Sequence, residues 1–439
     1  MRIRVQYRKF IRPSASPQAR LKTIKLSLID QQVQPVYVPI LLYYKAPESS
    51  TSVSDCKDET REKLINLLEG SLSQALSLFY PLAGRFGEDG LSIDCNDRGV
   101  EYLVAQVDGL LSQMVEHGKQ SADVHPELLN ALVPAGPDVA DHSGPLARIQ
   151  VNTFECGGLV LAIQVAHKLA DAFSIIAFVL GWATACRVGT LAEVTSPAYE
   201  LLSPPSMEPR ANLPQLKEPS RPPMGSGLVT RRFVFDQKAI MRLKNLVSSE
   251  KNRGASKVGI AMAAIWRSLI DVWRSEHRYT RPSMVIFPVN MRGKSSCCLQ
   301  VPGNLCRNFL HLAFTVCYKP PEDVNCCVLD DLLNAINDAK AGAVKAFEKQ
   351  ISGMDLITGG INLEGEVDTV VMTSWCNFRI YEADFGWGKP EWVSSVRKRT
   401  PGVILMDSKC GEGVEAWVGL SGEAMLLFQN QPHILLSTC

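Results

Sequence analysis

His167 is followed four residues later by Asp171, in the run His167-Lys168-Leu169-Ala170-Asp171. An imidazole with an ordinary pKa near ~6.5 can take a proton from a hydroxyl and return it to a leaving group at neutral pH, which is the work of a general base. The competing reading is a core or surface histidine, because a chain with seven histidines produces this spacing by chance. Asp171 admits two roles. It can bond the imidazole directly, as the carboxylate of a Ser-His-Asp triad does. Alternatively it can cap a helix and pair with an arginine, holding the loop that carries His167, and its place at a helix start favours this second role. A metal site has no third His, Cys or carboxylate nearby in sequence, so no metal is expected.

A second constellation lies about half the chain away, at Asp384-Phe385-Gly386-Trp387-Gly388. Gly386 and Gly388 bracket a tryptophan, which suits a tight loop where backbone passes close to another segment and a large ring fills a gap. Asp384 is expected to pair with an arginine rather than touch substrate. Arg292, in Asn290-Met291-Arg292 just after a strand at Met284 to Val289, is the expected partner.

Rigid elements have to position these groups. Ala147 to Phe154, a turn at Glu155 to Gly158, and Leu159, Leu161, Ile163 and Val165 on one face read as a hairpin that delivers His167 at its exit. Phe173 to Trp182 is almost wholly apolar, so it predicts a helix buried against the sheet, with Asp171 at the N-cap. A further hairpin is expected from Leu91 to Cys95 and Val100 to Val107 around Asn96-Asp97-Arg98-Gly99. Leu64 to Phe79 carries helical spacing that Pro81 ends. Farther on, a strand at Arg232 to Phe235, helices from Gln237, from Ser256 to about Trp273 and from about Leu329 to Phe347, and strands near Val367 to Trp375, Val403 to Met406 and Val414 to Val418 make the class α/β.

Seven prolines between Ser203 and Gly227 have the composition of a linker. They divide the chain into an N-terminal domain over 1–202, a linker over 203–227 and a C-terminal domain over 228–439, each domain within the usual size range. A net charge of +1 without a sustained basic run gives no footprint for nucleic acid or an anionic membrane surface, so small molecules are the expected partners. The thirteen cysteines are odd in number, form no C-x-x-C, and include the vicinal pairs Cys297-Cys298 and Cys326-Cys327. Reduced thiols and a cytoplasmic location follow, no apolar leader segment standing behind Met1. The longest apolar run, Ala172 to Ala185, is too short to span a bilayer.

The ordered pair His167-x-x-x-Asp171 and Asp384-Phe-Gly-Trp-Gly388 resembles the plant BAHD acyltransferases. Tyr80-Pro-Leu-Ala-Gly-Arg85, Asn290-x-Arg292, Gly303-Asn304, Thr373-Ser-Trp375 and Lys389-Pro390 agree, so the resemblance runs from about Phe10 to Phe428. Asp94 to Gly99, Phe154 to Gly158 and the His167 motif most resemble the vinorine synthase-like branch. The resemblance implies two similar-sized chloramphenicol acetyltransferase-like domains with a channel between them. It further implies acyl-CoA, by the branch acetyl-CoA, as co-substrate, an alcohol such as an alkaloid as acceptor, and no permanently bound cofactor. His167 is then the general base. Thr373 and Trp375 match the positions that serve the oxyanion, and their alternate spacing on a strand points both to one face. Ser256 and Lys257 open a helix that can meet CoA phosphates, while Asp171, Arg292, Asp384, Gly386 and Gly388 are structural. A monomer is expected. The alternatives are an aromatic or longer acyl-CoA, an amine acceptor, or a non-catalytic ligand-binding relative, and intact His167, Trp375 and Asp384 speak against the last.

Overall fold

In the computed structural model, Ala147–Phe154 and Leu159–Ala166 pair antiparallel as the expected hairpin. The structure describes residues 1–15, 20–46, 54–120, 126–137, 143–200, 228–247, 252, 254–294, 301–318, 327–351, 366–395 and 401–436. The proline-rich stretch 203–227 and Cys297, Cys298 and Cys326 lie outside them. The hairpin turn is closed by Phe154 N–H donating to the Gly158 carbonyl at 2.9 Å, with Gly157 at φ +81°. Every residue of both strands is buried. Leu159–Ala166 is largely apolar on both faces, as a central strand covered twice requires, whereas Ala147–Phe154 turns Arg148, Gln150 and Asn152 to one buried face.

Six strands form the sheet that carries this hairpin. Their order is Ile3–Ile11, Val100–Val107, Ala147–Phe154, Leu159–Ala166, Tyr37–Tyr44 and Trp392–Ser394. A second six-stranded sheet has the order Leu310–Cys317, Ser283–Asn290, Asp368–Ser374, Gly402–Asp407, Val414–Ser421 and Leu228–Phe235. Each sheet mixes parallel and antiparallel pairs, and helices pack on both, so the architecture is mixed α/β. Trp392–Ser394 comes from the second half of the chain yet pairs with Leu41, Leu42 and Tyr43 of the first sheet. The sheets therefore do not divide cleanly at the proline-rich stretch.

The hairpin expected from Leu91–Cys95 and Val100–Val107 is not formed. Ser92–Asp94 pairs instead with Thr23–Lys25 and Arg85–Phe86 in a separate three-stranded sheet. Val100–Val107 lies between Ile3–Ile11 and Ala147–Phe154. The connection holds Asp97 at φ +54° and Gly99 at φ +93° and passes so close to Ile11 that a Cβ on Gly99 would sit 2.6 Å from the Ile11 carbonyl oxygen. That bend carries the chain into another layer rather than back along itself.

Two hydrophobic cores result, and the second sheet feeds both. Val403, Leu405, Val414, Ala416 and Val418 lie in one core with the helix Lys257–His277, while Cys327–Ile351 packs on Leu310–Cys317 at the sheet's other edge. The alternate residues Ile404, Met406 and Trp417 belong to the first core, with Trp392, Trp375 and the helix Ala172–Val188. Period-two alternation along these strands is thus what docks one sheet on the other. Trp392 and Trp417, each nearly fully buried, stack with centroids 5.8 Å apart, and each such ring contributes on the order of 2–3 kcal/mol of apolar burial. Among the described residues no helix is long and apolar enough to cross a membrane.

Candidate active site

His167 leaves the strand Leu159–Ala166 in a turn fixed from two sides. Its N–H donates to the Val36 carbonyl (2.8 Å), and its own carbonyl accepts from Asn308 Nδ2 (2.8 Å). Leu169 N–H closes the turn on the Ala166 carbonyl at 3.0 Å. The residue is half-buried, and its Nδ1 atom is buried without a hydrogen-bond partner. Burial pushes the imidazole pKa below 6.5. The pull upward from its own carbonyl, the Asp171 charge, the Ala170 carbonyl and the Asn308 amide is weaker, since none of these reaches hydrogen-bond geometry at Nδ1. The ring is therefore neutral at pH 7, the form that can accept a proton.

Asp171 turns away from His167. It is the N-cap of the helix Ala172–Val188 and accepts from Ser174 N–H (2.9 Å) and Ser174 Oγ (2.7 Å), which satisfies an otherwise orphaned donor of the first turn. Its two oxygens also take a forked pair from Arg292, at 2.7 and 3.2 Å, and Phe309 N–H at 3.1 Å. Both side chains of this ion pair are buried, 5% exposed for Arg292 and 8% for Asp171. Arg292 is completed by the carbonyls of Leu305 and Arg307, by Asn290 Oδ1, by Ser174 Oγ and by the Phe173 ring at 4.5 Å. The arginine expected to pair with Asp384 thus belongs to Asp171.

Asp384 is satisfied within its own loop. Its Oδ1 accepts from Gly386 N–H (2.8 Å) and Gly388 N–H (2.9 Å), and both glycines have positive φ, +111° and +103°. Loop donors two and four residues on leave this carboxylate no need of an arginine. Phe385, fully buried, meets the Trp182 ring edge-on at 5.0 Å and Tyr44 at 5.9 Å, and Trp387 stacks on Phe385. Ten helical residues separate Trp182 from the start of its helix, roughly 15 Å at 1.5 Å per residue. The loop consequently braces the far part of that helix rather than the His167 turn.

Thr373, half-buried, is the next-to-last residue of the strand Asp368–Ser374, and Trp375, just past the strand, is buried and continues the ladder through Trp375 N–H to the Leu405 carbonyl at 2.8 Å. Trp375 packs in the same core as Ala166, Leu169 and Ala170, the neighbours of His167. Phe378, in the turn after Trp375, meets Phe173 edge-on at 5.6 Å. This ring contact joins the turn after Trp375 to the start of the helix that follows His167. Ser256 is the N-cap of Lys257–His277 through Gly259 N–H (3.1 Å), and Lys257 Nζ pairs with Asp407 at 2.6 Å. The other Asp407 oxygen accepts Asn377 N–H at 2.6 Å, so this helix start lies one carboxylate away from the Trp375 turn. Sequence reasoning missed Asn308, which reaches the His167 turn from far along the chain, and Asp30, which bonds Asn308 and Arg307.

A family model described as the Transferase family matches residues 1–435. The acetyl-CoA-benzylalcohol acetyltransferase of Clarkia breweri is 31% identical, over 100% of this chain and 99% of its own. A malonyltransferase of Salvia splendens that acts on a pelargonidin glucoside is also 31% identical, over 98% of this chain and 97% of its own. Vinorine synthase of Rauvolfia serpentina is 30% identical over 95% of this chain and 94% of its own. A crystal structure of vinorine synthase superposes with a TM-score of 0.79 at 26% identity, covering 99% of this chain and 98% of that one.

Proposed function

The chain belongs to the Transferase family, and we propose that it moves an acetyl group from acetyl-CoA to a hydroxyl of a plant specialised metabolite such as an alkaloid alcohol. The acyl-CoA-dependent O-acyltransferase class comes with the family, and relatives named for acetyl transfer support the acyl group. The observation that carries the mechanism is a neutral His167 whose backbone is pinned on both sides.

In this reading acyl-CoA and acceptor reach His167 together, through a channel between an N-terminal and a C-terminal domain. His167 takes the acceptor's proton and the alkoxide attacks the thioester carbonyl. The tetrahedral intermediate then collapses as the imidazolium protonates the CoA thiolate, and no acyl-enzyme forms. The Thr373 hydroxyl and the Trp375 indole N–H are the candidate donors to the oxyanion, a contribution commonly worth ~10²–10³ in rate. Ser256 and Lys257 are the candidates for CoA phosphates, which requires Lys257 to exchange the Asp407 carboxylate for a phosphate.

Burial raises the thiols of Cys95, Cys306 and Cys376 to about 12, and such unreactive, unpaired thiols support a reducing, cytoplasmic setting. A monomer is the working state. With acetyl-CoA and an alkaloid alcohol, the protein is expected to release free thiol, and His167→Ala to lower that release by ~10²-fold or more. Unchanged turnover in the variant would remove the base assignment. A second reading, a malonyl or other acyl donor, is favoured by the Salvia relative's equal identity, and a panel of acyl-CoA donors read by mass spectrometry decides between them.

A further inference from the structure

Asp407 ends the strand Gly402–Asp407, and its two carboxylate oxygens serve different parts of the molecule. Oδ1 accepts from Lys257 Nζ at 2.6 Å, and Oδ2 accepts from Asn377 N–H at 2.6 Å. The ion pair is mostly buried, with the Lys257 side chain 19% exposed and that of Asp407 15%, so salt and water screen it less than an open surface pair. Lys257 also donates to the Gly411 carbonyl. One carboxylate thus joins the first residue of the helix Lys257–His277 to the turn that follows Trp375.

That turn needs an outside anchor. Asn377 at φ +68° and Arg379 at φ +61° are both left-handed, a conformation that a side chain disfavours. The bonds within the turn are long: Cys376 N–H reaches Ser374 Oγ at 3.3 Å, and Phe378 N–H reaches the Trp375 carbonyl at 3.4 Å. The bond to Asp407 is short and charge-assisted, so it is the one that pins the turn. Burial pushes the Cys376 thiol up to about 12, the Asp407 charge adds to this, and the Lys257 charge opposes it. Both charges therefore act on the residue next to Trp375. A phosphate drawn to Lys257 competes with Asp407 for one ammonium, and a carboxylate relieved of its cation has more charge left for its other donor.

We propose that Asp407 is a positioning residue that couples acyl-CoA binding to the turn after Trp375: a CoA phosphate that takes over Lys257 leaves the carboxylate to Asn377 N–H, which then holds the turn more tightly. The proposal rests on reading Lys257 as a CoA contact and Trp375 as an oxyanion donor.

The test uses the full chain, with CoA binding measured by calorimetry, acyl transfer by thiol release, and amide hydrogen exchange followed over residues 374–379. In Asp407→Asn the side-chain oxygen still accepts Asn377 N–H but no longer neutralises Lys257. CoA should therefore bind roughly two- to fivefold tighter, with kcat within about twofold. Asp407→Ala frees Lys257 in the same way but removes the anchor, so kcat should fall roughly 10-fold or more. In the unaltered protein CoA slows exchange in the turn, and in Asp407→Ala it does not. A residue that only stabilises the fold would lower the melting temperature without tightening CoA binding. Unchanged or weaker CoA binding in Asp407→Asn, or full kcat in Asp407→Ala, would overturn the proposal. Should the alanine variant not fold, the CoA affinity of Asp407→Asn decides. Lys257→Met is measured alongside. Unchanged CoA affinity there removes the CoA assignment of Lys257, whereas kcat of Asp407→Ala still judges the anchor.

Discussion

Removing the Asp171 carboxylate should cost more stability than its surface area suggests. Asp171→Ala deletes the acceptor for Ser174 N–H and Phe309 N–H and leaves the Arg292 guanidinium, 5% exposed, without its counter-charge. Losing an N-cap costs ~1 kcal/mol. Breaking one side of a buried ion pair costs about 3–5 kcal/mol, because the surviving charge stays desolvated. The four carbonyl, amide and hydroxyl oxygens that still surround Arg292 soften this, so a total of roughly 4 kcal/mol is expected, against a usual total stability of about 5–15 kcal/mol. Urea unfolding followed by tryptophan fluorescence is the assay, since Trp182, Trp266, Trp392 and Trp417 are fully buried and report on both cores. Asp171→Leu combined with Arg292→Met removes both charges and should cost less than Asp171→Ala alone. A loss under about 1 kcal/mol in the single variant, or a double variant worse than the sum of its parts, would refute the buried-pair reasoning.

Two other outcomes follow from the same structure. His167 has a folded pKa below its unfolded value near 6.5, so its neutral form is favoured by folding: the stability it contributes is complete above about pH 6.5 and is lost as pH falls towards the folded pKa. His311 and His433, also lowered by burial, add to the same slope. In activity the acid limb of kcat/KM should therefore have its midpoint below pH 6.5, and a midpoint at or above that value in a pH-rate profile contradicts the buried neutral imidazole. In the glycine-bracketed loop, Phe385→Ala empties a fully buried site and should cost about 3–5 kcal/mol, whereas Asp384→Ala loses two loop hydrogen bonds worth about 1–2 kcal/mol together. Equal losses on urea titration would mean that Asp384 does more than shape its loop.

Local signals were legible and partner choice was not. The Ala147–Ala166 hairpin, the Asp171 and Ser256 caps and the buried apolar helix each depend on residues within a few positions of one another, so periodicity and cap chemistry reveal them. The assignment of Arg292 to Asp384 went astray because two carboxylates in apolar surroundings look alike along the chain. Asp384 has glycine N–H groups two and four residues ahead, whereas Asp171 faces a cation 121 residues away. Trp392–Ser394 is too short to announce a strand, and Tyr43, Leu42 and Leu41 across the gap give it its ladder. Asp30 carried a local sign in Ser27-Leu28-Ile29-Asp30, a capping box, but that motif says nothing of Asn308, 278 residues on.

The contacts that hold the His167 turn are almost all distant in sequence. Asp171 to Arg292, Asn308 to the His167 carbonyl, and Arg307 to Asp30 span 121, 141 and 277 residues, and each joins the first sheet's surroundings to a segment flanking the second sheet. Contacts of such separation form only after the intervening chain has collapsed, because loop closure must precede their reward. The two sheets share a core through Ile404, Met406 and Trp417, so docking that face is what brings Arg292 and Asn308 within reach. The histidine's backbone geometry is thus a property of the docked pair of sheets and not of the hairpin that carries it. A substitution that loosens the shared face, far from any reacting atom, should therefore lower kcat before it lowers the helical signal, since the turn loses its distant partners while each sheet keeps its own core.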